Sequence, residues 1–405
     1  MQSNYLMKRL MIAALLGASL AAGPASAEKK YGPGASDTEI KVGQTMPYSG
    51  PASAYGTIGK ANSAYFDKVN AEGGVNGRKI KFLTLDDAYA PPRTVEQTRK
   101  LVEQDEVLLL FGTLGTPPNS AIHKYVNAKK VPHVFLNSGA TKWGDPQNFP
   151  WTLGWNLAYQ TEAKIYAKFL LQKNPNAKIG VLYQNDDYGK DYLKGLKDGL
   201  GDKAGKMIVS ELSYEVTDPT IDSQIVTLQG SGADTFVNIT TPKFAAQAIR
   251  KAYDIGWKPL QILNNVSASI AAVLQPAGLE KSVGLVSVNY YKDPNDKQWE
   301  GDAAVKDYLA FMKKFYPDGN AIDLFNVVGY TQAQALVYLL KQCGDDLSRE
   351  NIMKQAASLK DVELPMLLPG IKLNTGAQDF NPIEQAQPVR FDGKSWVPFG
   401  EILGK

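Results

Sequence analysis

The feature that constrains this chain most is an alternation of strand-length apolar runs with helical patterns. In the first part, EIKVGQTM (39–46), IKFLTLDD (80–87), EVLLLFG (106–112) and VPHVFLN (131–137) read as strands. IKFLTLDD alternates with period two. EVLLLFG is continuously apolar, the mark of a strand covered on both faces. Between them, GTIGKANSAYFDKVNAEGG (56–74) reads as a helix ended by glycine, and PPRTVEQTRKLVEQ and PPNSAIHKYVNAKK open on prolines that suit a first helical turn. Four strands with helices between them predict a doubly wound, mostly parallel sheet.

The pattern restarts after residue 156. AKIGVLYQND, MIVSELSYE, DTFVNIT and LQIL are the next strands. The helices between them include DYGKDYLKGLKDGLG, with apolar Tyr192, Leu193, Leu196 and Leu200 on one stripe. NYYKDPNDKQW interrupts the alternation and reads as a crossing between two lobes. Long helices are predicted at 302–315 and 323–342, and the tail 385–402 is predicted to be a hairpin on Asp392–Gly393. The expected fold is therefore α/β, with two doubly wound sheets of similar kind.

Composition narrows the function classes. Of 405 residues, 44% are hydrophobic and 21% charged, with a formal net charge of +3. There is no basic stripe for nucleic acid. The N-terminus has the form of a secretory signal: Lys8 and Arg9, then an apolar run too short to span a bilayer, then Ala25-Ser26-Ala27. Cleavage after Ala27 is expected. With no cysteine there to carry a lipid, an unanchored exported protein points to a Gram-negative periplasm. The single cysteine, Cys343, excludes an intramolecular disulfide and reads as a core residue.

Catalytic motifs are missing. No P-loop, GxGxxG, GxSxG or HExxH occurs, and there are two histidines, His123 in a helix and His133 opening a strand. Asp86–Asp87 and Asp186–Asp187 lie at strand ends, where aspartate caps or turns a chain. No cofactor or metal is implied, and an enzyme is not expected. Instead, four strand-end loops at one sheet edge are rich in Gly, Ser and Thr: PYSGPASAYG, DDAYAPP, FGTLGTPPN and LNSGATKW. Such loops let backbone N–H groups approach a ligand closely, and Tyr48, Tyr55 and Tyr89 are placed to line a pocket.

GQTMPYSGPASAYG, NAEGGVNGRKIKFLTLDDAYAP, LFGTLGTPPNSAI, NSGAT and LYQNDDYGKDYLKGLKDGL, in this order over 38–400, resemble the periplasmic leucine/isoleucine/valine-binding protein family. The resemblance implies a type I periplasmic binding protein of two Rossmann-like lobes with three hinge crossings, a cleft that closes on ligand, and delivery to an inner-membrane ABC permease by a monomer. Its expected division is 37–156 plus 290–368 and 157–289 plus 369–405, after a signal peptide at 1–27. It further implies a carboxylate held by the loops at Thr113, Leu114, Gly115 and at Gly139, Ala140, Thr141. Tyr55 is expected to pack on the ligand, and Tyr188 comes from the second lobe. Amino-acid binders of the family place an acid after the strand matching LQIL. Here that loop, Asn264 to Gly278, has none, and Thr241, Pro242 and Lys243 replace a tyrosine and an acid of the relatives. Trp155, Thr241 and Asn265 complete the expected site, with Trp155 as a flat wall. The expected ligand is a small carboxylate, preferably a hydrophobic or aromatic acid lacking an ammonium. An amino acid or amide ligand, or a sensor that presents its closed state to a receptor, are the alternatives.

Overall fold

The structure is a computed structural model and describes residues 29–404. The expected signal sequence and cleavage point lie outside the described residues. The first sheet contains β1 (Glu39–Met46), β2 (Lys79–Asp86), β3 (Leu109–Phe111), β4 (His133–Leu136) and β5 (Thr152–Gly154), in the spatial order β2-β1-β3-β4-β5. All four pairings are parallel. Helices α1 (Gly56–Ala71), α2 (Pro91–Arg99) and α3 (Thr116–Ala128) connect them.

A second sheet repeats the plan. β6 (Ile179–Gln184), β7 (Ile208–Tyr214), β8 (Thr235–Ile239), β9 (Leu260–Leu263) and β10 (Val286–Asn289) run parallel in the order β7-β6-β8-β9-β10. Antiparallel β11 (Gln385–Phe391) and β12 (Trp396–Pro398) extend it beyond β10. Helices α4 (Tyr159–Lys173), α5 (Asp187–Leu200), α6 (Asp222–Gly230) and α7 (Pro242–Asp254) cover this sheet. After β10 the chain returns to the first lobe as α8 (Ala303–Phe315) and α9 (Leu324–Cys343), and α9 packs along α1. It then passes back to β11. The chain thus crosses between the sheets three times, after β5, after β10 and before β11, as expected.

Both sheets are covered on both faces, which is why their central strands are continuously apolar. Leu110 sits among Leu101, Ile122 and Val126 from the α2–α3 side. Phe111 points to the other face, with Phe66 of α1 and Val327 and Leu336 of α9. In the second sheet Phe236 packs with Leu228 and Phe244, while Val237 faces Leu170 and Leu196. Burying a side chain of this size contributes about 2–3 kcal/mol.

The paired aspartates do local work. Asp186 caps α5, accepting the N–H groups of Tyr188 and Gly189. Asp86 accepts the N–H groups of Tyr48, Ser49 and Ala88 and fixes the loop after β1. Both histidines are structural: His123 stacks on Phe149 with ring centroids 3.8 Å apart, and burial pushes His133 down to about 3. The sequence carries no readable signal for β5 or β10. Runs as short as TLG and VSVN carry too little period to register.

Candidate functional site

In a sheet ordered 2-1-3-4-5, neighbouring connections leave in opposite directions between the first and third strands, and the crevice there takes ligands. Here both sheets have that order, and their crevices share one cavity. Tyr55 comes from the loop after β1, Leu114 and Gly115 from the loop after β3, Tyr188 from the first turn of α5 after β6, and Thr241 from the loop after β8.

The first-lobe wall is mostly apolar. Ile58 of α1 and Leu324, Phe325 and Val328 of α9 join Leu114, with Tyr55 tilted onto Phe325 at a centroid distance of 5.1 Å. Tyr89, Thr116 and Asn137 complete it. Gly115 is required there. Its φ is +98°, and a Cβ would lie 2.4 Å from the Tyr89 ring. The other wall is Tyr188, Thr241, Asn265 and Val266, and the crossings supply Asn156, Tyr159, Tyr290 and Tyr291. No Asp, Glu, Lys, Arg or His lines the cavity among the described residues.

Helix N-termini surround this uncharged space. Thr116 and Tyr159 are the first residues of α3 and α4, and Thr241 is the N-cap of α7; none of these three ends has a side-chain cap. Their partial positive charge favours an anion. Burial raises the hydroxyls of Tyr55, Tyr89, Tyr188 and Tyr290 well above 10, and that of Tyr159 to about 12. They therefore remain hydrogen-bond donors at any physiological pH.

Of the expected site residues, the cavity gathers Tyr55, Leu114, Gly115, Tyr188, Thr241 and Asn265. Five others lie outside its lining, and each has a physical reason. Thr113 is fully buried, with its hydroxyl 2.6 Å from Asn119 Oδ1 and 2.5 Å from His133 Nε2. Gly139 passes under the first crossing, where a Cβ would be 2.3 Å from the Leu157 carbonyl. Ala140 is buried beside it. Thr141 donates both its N–H and its hydroxyl to Asp191 Oδ2 of α5, at 2.8 and 2.9 Å. Trp155 is buried in the core, and its indole N–H donates to Tyr291 Oη at 2.8 Å. It supports a wall residue and is not itself the wall. Tyr48 is likewise turned away, bonded to Thr84.

Nearby donors are also engaged. The N–H of Leu114 goes to Thr45 and that of Gly115 to Asn137, and Pro117 and Pro118 have no N–H. Neither paired aspartate reaches the cavity, since Asp186 caps α5 and Asp187 pairs with Lys142 at 2.6 Å. The contacts Thr141–Asp191, Lys142–Asp187 and Ser269–Asp323 bridge the two lobes, and the cleft is closed.

A family model described as periplasmic binding protein matches residues 39–395, nearly all of the two-lobed structure. The chain belongs to the periplasmic binding protein family. Its similar sequences include the Leu/Ile/Val-binding protein homolog 7 of Brucella suis, 26% identical over 374 residues, 88% of this chain and 88% of that protein. Among solved structures, a branched chain amino acid ABC transporter protein of Thermus thermophilus with bound valine has a TM-score of 0.82 at 14% identity, over 92% of this chain and 98% of that one. A fatty acid ABC transporter substrate-binding protein of Thermomonospora curvata has a TM-score of 0.78 at 23% identity, over 93% and 95%. Both share the fold. The family consists of exported substrate-binding proteins that bind small molecules and work with ABC permeases; its members are not enzymes.

Proposed function

We propose that this periplasmic binding protein captures a hydrophobic or aromatic organic acid that lacks an ammonium group and delivers it to an ABC permease. One observation carries the reading: a cavity walled by aromatic and aliphatic side chains, without a charged one, at which uncapped helix N-termini converge. An α-ammonium closed into it would have no carboxylate partner, and leaving a buried charge unpaired costs about 3–5 kcal/mol. A carboxylate needs no fixed cation when hydroxyls, amides and helix ends surround it.

The polar end of the ligand is assigned to the crossing side, near the Tyr159 and Tyr290 hydroxyls, because the N–H groups of Leu114 and Gly115 and both donors of Thr141 are already engaged. The apolar body rests on Ile58, Leu114, Phe325 and Val328. The fatty-acid relative supports a hydrophobic acid. The valine-bound relative supports the amino-acid reading, which the acid-free lining disfavours. The proposal keeps the lobe division at 37–156 plus 290–368 and 157–289 plus 369–405, a monomer, and cleavage after Ala27.

A thermal-shift screen of aryl and alkyl carboxylates beside amino acids tests it. At 100 times its Kd a ligand adds about 2.7 kcal/mol. Shifts with the acids and none with leucine or phenylalanine support the reading. The reverse pattern overturns it.

A further inference from the structure

We propose that Glu162 makes the capture of an anionic ligand proton-coupled: this acid, one layer behind the Asn265 loop, takes a proton from solvent as the ligand's carboxylate enters. The inference rests on the hydrophobic-acid reading above.

Glu162 lies in the first turn of α4, three residues after the cavity-lining Tyr159, and is 2% exposed. Its Oε1 accepts the N–H of Asn265 at 2.8 Å and the hydroxyl of Tyr166 at 2.7 Å. Asn265 is therefore held from behind by this carboxyl while its other side lines the cavity, which makes Glu162 a positioning residue. The groups that face Glu162 are Tyr159 and Tyr166 of its own helix, Tyr192 of α5, Tyr290 after β10 and the Asn265 loop. None of these is a cation. Burial accordingly pushes the carboxyl up to about 7, against the pull of the Asn265 N–H.

A second negative charge in the adjoining cavity raises Glu162 further. The balance is simple: one solvent proton converts the Glu162 carboxylate to the acid, and the ligand keeps its charge. The sign follows from linkage. Binding of an anion is strongest where Glu162 is already protonated, below about pH 7, and weakens as pH rises through that value. A coupling of one pKa unit corresponds to about tenfold in Kd.

The test is calorimetry of the full protein at pH 6 and pH 8 with benzoate, 3-phenylpropanoate and octanoate, each beside its neutral amide, on wild type and Glu162→Gln. The glutamine keeps an Oε1 acceptor for Asn265 and cannot ionise. Expected is a Kd for the acids about fivefold lower at pH 6 than at pH 8 in wild type, a flat profile for Glu162→Gln, and flat profiles for any amide that binds. An acid whose pH profile is flat in wild type, or unchanged by the glutamine, overturns the coupling alone. Failure of all three acids to bind wild type at about 1 mM, a bound free energy near 4 kcal/mol, overturns the hydrophobic-acid reading and the coupling together. Carbon-13 NMR of the Glu162 carboxyl without ligand supplies an independent arm: a midpoint near pH 7 supports the coupling, and one below pH 5 overturns it.

Discussion

The cavity's two walls come from sheets of the same strand order, yet their chemistry differs. The first-sheet wall is Ile58, Leu114, Leu324, Phe325 and Val328 around Tyr55; the N–H groups of Leu114 and Gly115 are satisfied within the lobe and both donors of Thr141 across the cleft. The second-sheet wall and the crossings present Tyr188, Thr241, Asn265, Asn156, Tyr159 and Tyr290 instead. The same topology therefore places one cavity between the sheets without fixing the chemistry of its two walls. That chemistry falls to single side chains such as Asp191, which takes up both donors of Thr141.

Substitutions on each wall separate the two roles. The largest effect is expected for Phe325→Ala on the apolar side. Phe325 is 4% exposed and packs on Tyr55, and losing the ring is expected to lower unfolding stability by about 3 kcal/mol, as read by denaturant titration. A much smaller loss would mean that the wall is not packed as described. On the polar side, Asn265→Asp removes a donor to the Val288 carbonyl and adds a carboxylate near Glu162. Affinity for a hydrophobic acid is expected to fall by about 2 kcal/mol, near thirtyfold, while phenylalanine gains; calorimetry reads both.

Tyr159→Phe keeps the ring stacked on Tyr192, at 4.4 Å between centroids, and removes one hydroxyl at the cavity. The expected loss is about 1 kcal/mol in binding of the acid, with an unchanged melting temperature. Thr141→Ala should have the smallest effect. Its hydroxyl goes to Asp191 at the exposed edge of the cleft, so affinity is expected to fall by less than 1 kcal/mol, equally for every ligand, with a more open particle by small-angle scattering. A loss confined to carboxylates would return Thr141 to the ligand and break the comparison.

Much of the fold was legible because strand and helix periods are local signals. The restart after residue 156, the capping aspartates and the Asp392–Gly393 turn follow from neighbouring residues, and the turn appears between β11 and β12 with Gly393 at φ 103°. The site was legible only in part. Tyr55, Leu114, Gly115, Tyr188, Thr241 and Asn265 sit at strand ends, which topology brings together. Leu324, Phe325 and Val328 look in sequence like any helix's core stripe, since nothing local shows that the N-terminus of α9 borders a cleft. Tyr290 and Tyr291 stand in the stretch read as a crossing. Because crossings bound the cleft, that aromatic pair was the one available signal for them. Thr141 and Trp155 could not be placed from sequence, because their partners, Asp191 and Tyr291, are 50 and 136 residues away.

On the proposed reading, the cavity accepts a carboxylate and has no place for an ammonium. 3-Phenylpropanoate and phenylalanine differ only in that ammonium, so calorimetry of both on ligand-stripped protein tests the claim most directly. 3-Phenylpropanoate is expected to bind at least about tenfold more tightly, a difference of 1.4 kcal/mol or more. Submicromolar binding of phenylalanine or leucine, with none of the deaminated acid, would contradict it.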